Sequence, residues 1–311
     1  MTGDDVCVDV SAVVVSWNTR DLLEQCLHSI AAHAGDSVEI VVVDNGSADG
    51  TSDMIRAHWP DVRLIANREN LGYTHANNQA IRISRGRYVL LLNADAMLRP
   101  GCLAALVARL EDDPKAAIAG PRLVYPDGRW QRWTAGRAPG LVSALNYFLF
   151  LDRLAPERLG GMYLGRDVRV ARRVDWLSSA CMLVRRSTLE RIGLLDERYF
   201  VYMDDVDLCQ RARDAGYAVW YCPEAEAVHV MGESTRRATG SVSPEALRSF
   251  NRYFASRHGR RTALVVRGVE ALGFALRTVA YAAAAALRSR EPHLRAKARA
   301  HWSYFKVSVE R

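Results

Sequence analysis

The chain has 311 residues, about half of them apolar and a quarter charged, which excludes a disordered or fibrous protein and fits one large domain with an appendage. Its six scattered cysteines form no CxxC pair and read as buried free thiols in a reducing compartment. The net charge of +7 is uneven: fourteen Lys/Arg against four Glu put +10 in residues 244–311 and leave −3 in the rest. That segregation, with no recognition motif, argues against a nucleic-acid binder. Residues 1–9 are acidic and lack a basic-then-apolar leader, so a cytoplasmic protein is expected.

Residues 10–17 read as a first strand, and Asn18-Thr19 as a turn. From 20 to 34, Leu22, Leu23, Cys26, Leu27 and Ile30 recur with the period of an amphipathic helix. Residues 38–43 are almost unbroken β-branched side chains and predict a second strand, ending in Asp44-Asn45-Gly46-Ser47. Strand, helix and strand make a βαβ unit, so the sheet should begin parallel. A short helix follows from Thr51, then a third strand over 62–66. The loop 67–73 leads into a helix over 74–84 that carries Asn77 and Asn78 near its start, a place where backbone N–H groups can cradle an anion.

Residues 88–95 are the most informative stretch. Five apolar residues fit a central strand covered on both faces. Asn93 and Asp95 are two apart, so on extended chain they point the same way. Open α/β sheets bind ligands at the carboxyl ends of their strands. Asp95 there is a hard oxygen ligand for Mg²⁺ or Mn²⁺, or else the cap of a helix beginning near Pro100. A helix over 102–110 and a strand over 116–124 follow. The pattern weakens over 129–173, read as a long insertion packed over a cleft. Residues 174–176 and 181–184 predict strands around Leu177-Ser178-Ser179-Ala180, and 188–192 a short helix.

A helix starting at Asp204 or Asp205 should run to Ala215, with Gly216 as its C-terminal cap. Asp204, Asp205 and Asp207 in its first turn favour the helix dipole, but two would serve as well as three. Residues 217–222 and 225–230 read as two strands, with His229 near the end of the second.

Together the motifs resemble the family 2 glycosyltransferases of the GT-A (nucleotide-diphospho-sugar transferase) fold. The carrying residues are Val13-Val14-Val15-Ser16-Trp17-Asn18, Val41-Val42-Val43-Asp44-Asn45-Gly46-Ser47, and Asn70-Leu71-Gly72-Tyr73 through Asn77-Asn78. They continue with Leu91-Leu92-Asn93-Ala94-Asp95, Asp204-Asp205-Val206-Asp207 and His229-Val230-Met231-Gly232-Glu233-Ser234. The resemblance implies an α/β fold, a Rossmann-like mixed sheet flanked by helices, over residues 8–240; residues 241–311 read, from their own pattern, as a helical extension. It implies a sugar-nucleotide donor held by Ser16, Asn18, Asp44, Asn45, Gly72, Asn77, Asn93, Ala94 and Trp176. Asp44 would take the base or ribose, and Gly72 would let the backbone approach the nucleotide. Asn93-Ala94-Asp95 stands where the family has Asp-x-Asp; Asp95 and His229 are the implied ligands of Mg²⁺ or Mn²⁺. Asp205 matches the catalytic base, with Asp204 in place of the usual Glu, and the implied reaction is inverting.

Trp176 through Cys181 with Gly193-Leu194-Leu195-Asp196-Glu197 resembles the rhamnosyltransferase-like branch. Trp176 could pack on the methyl group of a 6-deoxy sugar, which favours dTDP-L-rhamnose as donor. A lipid-linked or saccharide acceptor in cell-envelope glycan synthesis is implied. A UDP-hexose donor, or a catalytically silent sugar-nucleotide-binding protein, are the alternatives. In the tail, Arg260, Arg267, Glu270, Arg277 and Arg288 fall within about 100° of helical arc. A basic amphipathic helix suits peripheral contact with the anionic inner face of a membrane, or else packs on protein.

Overall fold

Val10–Ser16 (β1), Val38–Asn45 (β2), Arg63–Asn67 (β3) and Tyr88–Asn93 (β4) form the parallel half of a nine-stranded sheet. The sheet belongs to a computed structural model that describes residues 9–33, 35, 37–149, 162–165, 168–230, 244–287 and 292–310. β1 lies between β2 and β4, with Ser16 opposite Asp44 and Val15 opposite Asn93. The polar ends of three strands therefore form one row along the carboxyl edge, as the βαβ pattern required. Cys181–Arg185 (β10) runs antiparallel to β4 and to Ala116–Val124 (β6), which makes the sheet mixed.

Every residue from Val10 to Val14 except the small Ser11 is apolar, and all are buried, as are Tyr88 through Leu92. Continuous burial means both faces are covered. On one face Leu23, Leu27 and Ile30 of Arg20–His33 (α1) and Leu103, Leu106 and Leu110 of Cys102–Asp112 (α4) join Val14, Leu90 and Leu92 in a single core. Tyr73–Ile83 (α3) packs on β1 and β2. Thr51–His58 (α2) flanks β3. Cys26, Cys102, Cys181, Cys209 and Cys222 are buried free thiols, as expected; Cys7 lies outside the described residues.

Three elements differ from the sequence expectation. Ala96–Leu98 (β5) follows Asp95 directly, and α4 begins only after Gly101, so Asp95 caps no helix. The two strands expected after residue 217 are one, Ala218–His229 (β11), which absorbs the break as a register shift between Cys222 and Glu226. The insertion splits: Ala135–Gly136 (β7) pairs with Trp176–Leu177 (β9), while Arg172–Arg173 (β8) adds to β11. Arg186–Ile192 (α6) and Asp204–Asp214 (α7) occupy the positions read for them.

The described residues fall into two compact units, one within Met1–Ala138, Tyr163–Phe200 and Asp204–Arg237, the other within Pro139–Met162, Val201–Met203 and Ala238–Arg311. In the second, Pro244–Leu287 (α8), broken at Gly259, packs against Pro292–Val309 (α9) and Leu141–Phe148 (α5). Residues 141–148 thus pack on α8 through Phe148, whose ring meets Phe250 and Phe274 edge-on.

Candidate active site

The carboxyl edge divides into two polar groups. Around β1 and β2, the Asp44 carboxylate accepts the Ser47 N–H at 3.0 Å and the Ser52 hydroxyl. Asn18, at φ 53°, accepts the Ala48 N–H at 2.8 Å and donates its own N–H to Ser47 Oγ at 2.9 Å. Ser16 is buried against Thr19 Oγ1 at 3.0 Å. Asn45 is wholly engaged: its amide nitrogen donates to Asn70 Oδ1 and the Gly72 carbonyl, and its oxygen accepts from Asn67 and the Leu71 N–H. Asn45 therefore ties the 67–73 loop to β2. Gly72, at φ 90°, has no room for a side chain: a Cβ would lie 2.7 Å from the Phe200 ring and 3.0 Å from its carbonyl oxygen. The backbone approach that demands glycine is made by Phe200, whose carbonyl accepts the Tyr73 N–H at 2.7 Å. Asn77 is buried and donates to the Tyr73 carbonyl at 2.8 Å.

The second group joins residues far apart in sequence. β5 pairs antiparallel with β11, which sets His229 opposite Ala96, and the Val230 N–H donates to the Asp95 carbonyl at 2.9 Å. His229 Nε2 then lies 3.3 Å from Asp95 Oδ1, with both side chains buried. Gln131, also buried, grips the histidine at both ends: its amide N–H₂ donates to the His229 carbonyl, and its Oε1 faces Nδ1 at 3.0 Å. Because the Gln131 oxygen can only accept, Nδ1 carries a proton, and in the neutral ring the lone pair is on Nε2. The Asn93 amide agrees: the Tyr73 hydroxyl donates to Asn93 Oδ1 at 3.0 Å, which turns Asn93 Nδ2 toward Nε2 at 3.4 Å. Ala94, buried between them, adds no polar group.

Two lone-pair atoms facing each other suit a shared cation. A carboxylate and a neutral imidazole form a donor set that fits Mg²⁺ or Mn²⁺. Among the described residues no group of three or more His, Cys, Asp or Glu could hold a metal ion, so further ligands would come from water and phosphate oxygens.

A hydrogen-bonded path links this pair to the acidic helix. The Tyr73 hydroxyl also reaches the Ser179 carbonyl at 3.3 Å, and the Ser179 N–H donates to Asp205 Oδ2 at 3.3 Å. Asp205 Oδ1 accepts the Val206 N–H at 2.8 Å. Burial pushes the Asp205 carboxyl up to about 6, against those two hydrogen bonds. Asp204 is buried beside it with Oδ2 unpartnered; desolvation first, and the Asp205 charge second, raise its carboxyl well above the usual range. Asp207 is committed to Arg211 at 2.7 Å. Trp176 is buried, with its indole N–H on the Arg137 carbonyl at 2.9 Å.

Tyr73, Gln131 and Ser179 were not picked out as site residues from sequence. Tyr73 stood inside a motif that could have flagged it. Gln131 sits in the weakly patterned stretch and carries no local signal. The motif residues 231–234 lie outside the described residues.

An open α/β sheet with a row of polar strand ends and two separated acidic sites defines a nucleotide-sugar transferase architecture. The model of the glycosyl transferase family 2 matches residues 11–193. The chain is 32% identical over 258 residues, covering 79% of it and 84% of the relative, to the N-acetylglucosaminyl-diphospho-decaprenol L-rhamnosyltransferase of Mycobacterium tuberculosis. It is 36% identical over 254 residues, covering 79% and 92%, to the rhamnosyltransferase WbbL of Escherichia coli. Among solved structures it is similar to the mannosyltransferase PcManGT of Pyrobaculum calidifontis with GDP-Man and Mn²⁺ (TM-score 0.52, 21% identity, 98% of this chain and 88% of that one). It is also similar to GalNAc-T7 with UDP, GalNAc and Mn²⁺ (TM-score 0.56, 16% identity, 82% of this chain), of which it spans about half the length, 51%. The chain belongs to the family 2 glycosyltransferases. It is a glycosyltransferase of GT-A fold with a rhamnosyltransferase-like sequence.

Proposed function

We propose that this enzyme transfers L-rhamnose, from dTDP-L-rhamnose, to a hydroxyl of a lipid-linked or polysaccharide acceptor in cell-envelope glycan synthesis, with inversion. The M. tuberculosis and E. coli relatives, both named rhamnosyltransferases, support the sugar. The first relative's name supports a lipid-diphosphate acceptor. Such an acceptor calls for peripheral contact with the inner face of a membrane. No helix among the described residues is long and apolar enough to cross one.

The observation that most supports the mechanism is the separation of two acidic sites along one hydrogen-bonded path. Asp205, lifted to about 6, is poised to take the acceptor hydroxyl proton near neutral pH. The acceptor oxygen then bonds to the anomeric carbon, and the bond from that carbon to the diphosphate oxygen breaks, its electron pair leaving with the nucleotide. With one displacement and no carboxylate nucleophile, the configuration inverts. Asp95 and His229 would hold Mg²⁺ or Mn²⁺, which when bound supplies Lewis-acid neutralisation of the departing diphosphate. Asp204, costly to ionise where it is buried, leaves Asp205 as the base. Asp44, Asn18 and Ser16 line the nucleotide end of the carboxyl edge.

The test is release of nucleotide from dTDP-L-rhamnose and from UDP-hexoses by purified enzyme, with Mn²⁺ or with chelator. Turnover of dTDP-L-rhamnose that chelator stops is expected. Turnover of UDP-hexoses alone would refute the donor, and chelator-resistant turnover the metal.

A further inference from the structure

The charged arc of α8 read from the sequence is spent inside the second unit. Glu270 is buried, Arg277 donates to the Phe148 carbonyl at 3.0 Å, and Arg267 donates to the Ser308 carbonyl of α9 at 3.2 Å. Arg288 lies outside the described residues. Ser249 of the same helix is spent differently. A helical serine commonly bonds back to the carbonyl four residues earlier. Ser249, buried, donates instead to the Val201 carbonyl at 2.8 Å.

That carbonyl is the third of three in a row held by different donors. Thr74 Oγ1 donates to the Tyr199 carbonyl, the Tyr73 N–H to the Phe200 carbonyl at 2.7 Å, and Ser249 to Val201. Residues Val201–Met203 cluster with the second unit, while Phe200 before them and Asp204 after them belong to the first. Tyr202 and Met203 adopt φ 66° and 64°, two consecutive non-glycine residues in the left-handed region. That conformation is unfavourable for L-residues and persists only where the surroundings impose it. Among the described residues the other non-glycine residue at positive φ is Asn18, of a type that tolerates it.

The place of the pair gives it a consequence. α7 begins at Asp204, directly after Met203, and residues at positive φ cannot join a right-handed helix. Tyr202 and Met203 are the whole connection between the held Val201 carbonyl and Asp204, so their dihedrals set how the first turn of α7 leaves the loop. Asp205 stands in that turn, and its Oδ1 accepts the Val206 N–H at 2.8 Å, so the carboxylate follows the turn. Relaxation of either residue to negative φ would swing Asp205 Oδ2 away from the Ser179 N–H, now at 3.3 Å.

We infer that Tyr202 and Met203 are positioning residues for the base: their left-handed backbone, braced by Ser249, aims Asp205 at the acceptor hydroxyl. The inference rests on the reading of Asp205 as the base, and makes the helical unit part of how that base is held.

The experiment measures release of nucleotide by the full chain, with water as acceptor, from dTDP-L-rhamnose or from the UDP-hexose the enzyme prefers. Met203→Asn tolerates the left-handed conformation and Met203→Val resists it, while both remove the thioether. Met203→Val should lower kcat by about 10- to 10²-fold, the scale of a catalytic group misplaced by ~1 Å, and leave donor KM near wild type. Met203→Asn should keep most of the wild-type kcat. Ser249→Ala should lower kcat in the same sense, again with donor KM held. Thermal unfolding checks that each variant is folded; Tyr202, whose side chain is exposed, gives the same Asn-against-Val comparison where Met203→Val fails to fold. In an Asp205→Asn background the Val substitution should have no further effect, because the base it misplaces is gone. If the Asn and Val variants lose kcat equally, or Met203→Val slows the Asp205→Asn enzyme as much as the wild type, the inference fails and Asp205 keeps its role. If Asp205→Asn alone runs at the wild-type rate, the base reading fails and takes the inference with it. A Ser249→Ala enzyme of wild-type kcat overturns the brace.

Discussion

Gln131 holds His229 by both its ring and its backbone: Oε1 sits 3.0 Å from Nδ1 while the amide nitrogen donates to the histidine's own carbonyl. One side chain fixes the ring's rotation and its tautomer together, and thereby directs the Nε2 lone pair at Asp95.

Gln131→Met keeps the volume and removes both hydrogen bonds. Outer-shell partners of a metal-binding histidine typically contribute about 10–100-fold to metal affinity. Mn²⁺ affinity, read by electron paramagnetic resonance with dTDP present, should fall by that order, with dTDP affinity without metal unchanged. Unaltered Mn²⁺ affinity would make Gln131 a packing residue only.

Asp95→Ala should abolish metal-dependent turnover, because it removes the charged member of the Asp95–His229 pair. Retained activity with the wild-type response to chelator would rule Asp95 out. Binding of Mn²⁺ in the same variant separates loss of the ion from loss of donor.

Asp205→Asn should lower kcat by about 10²–10⁴-fold and leave donor affinity near wild type, since it removes the base and keeps the shape. The carboxyl is raised to about 6, so wild-type activity should decline as pH falls through that value and the base becomes protonated. Asp204→Asn should be milder in kcat. Transfer rates across pH 5–8 with donor affinities by calorimetry decide it; an Asp205→Asn enzyme of wild-type rate, or one that has merely lost donor, refutes the role.

Asp204 also predicts a stability effect. Its folded carboxyl is raised, so the buried proton favours the fold at low pH, and that advantage is lost as pH rises from the unfolded carboxyl range toward the raised value. Asp204→Asn, always neutral, should therefore gain stability relative to wild type as pH rises above about 4. Denaturant unfolding at pH 4.5 and 7.5 should show the difference widening; a constant difference would mean that Asp204 is not strained by burial.

Gly72→Ala should destabilise the protein by about 1–3 kcal/mol, the usual size of a strained backbone position. The added Cβ would meet the Phe200 ring and carbonyl oxygen at a φ of 90°. Phe200→Ala in the same chain should recover only part of the loss, because the carbonyl and the dihedral remain. A Gly72→Ala protein of wild-type stability would mean the loop can move away.

The sequence by itself determined the parallel half of the sheet and the row of polar strand ends. Unbroken apolar runs such as Tyr88 to Leu92 fit central strands, and parallel connections bring Ser16, Asp44 and Asn93 to one edge. It also determined the family, because ordered motifs survive where single residues are ambiguous. Only the tertiary structure decided what those residues touch. His229 reaches Asp95 through the pairing of β5 with β11, and Gln131 reaches His229 across 98 positions, separations that leave no periodic trace. Gly72 is glycine because Phe200 packs there, a steric demand of a distant loop. In α8, periodicity showed that the charges share one arc, but a periodic pattern has no inside or outside of its own. Burial of Glu270 and Arg277 against α5 and α9 fixed that sense, and left the apolar face to the outside.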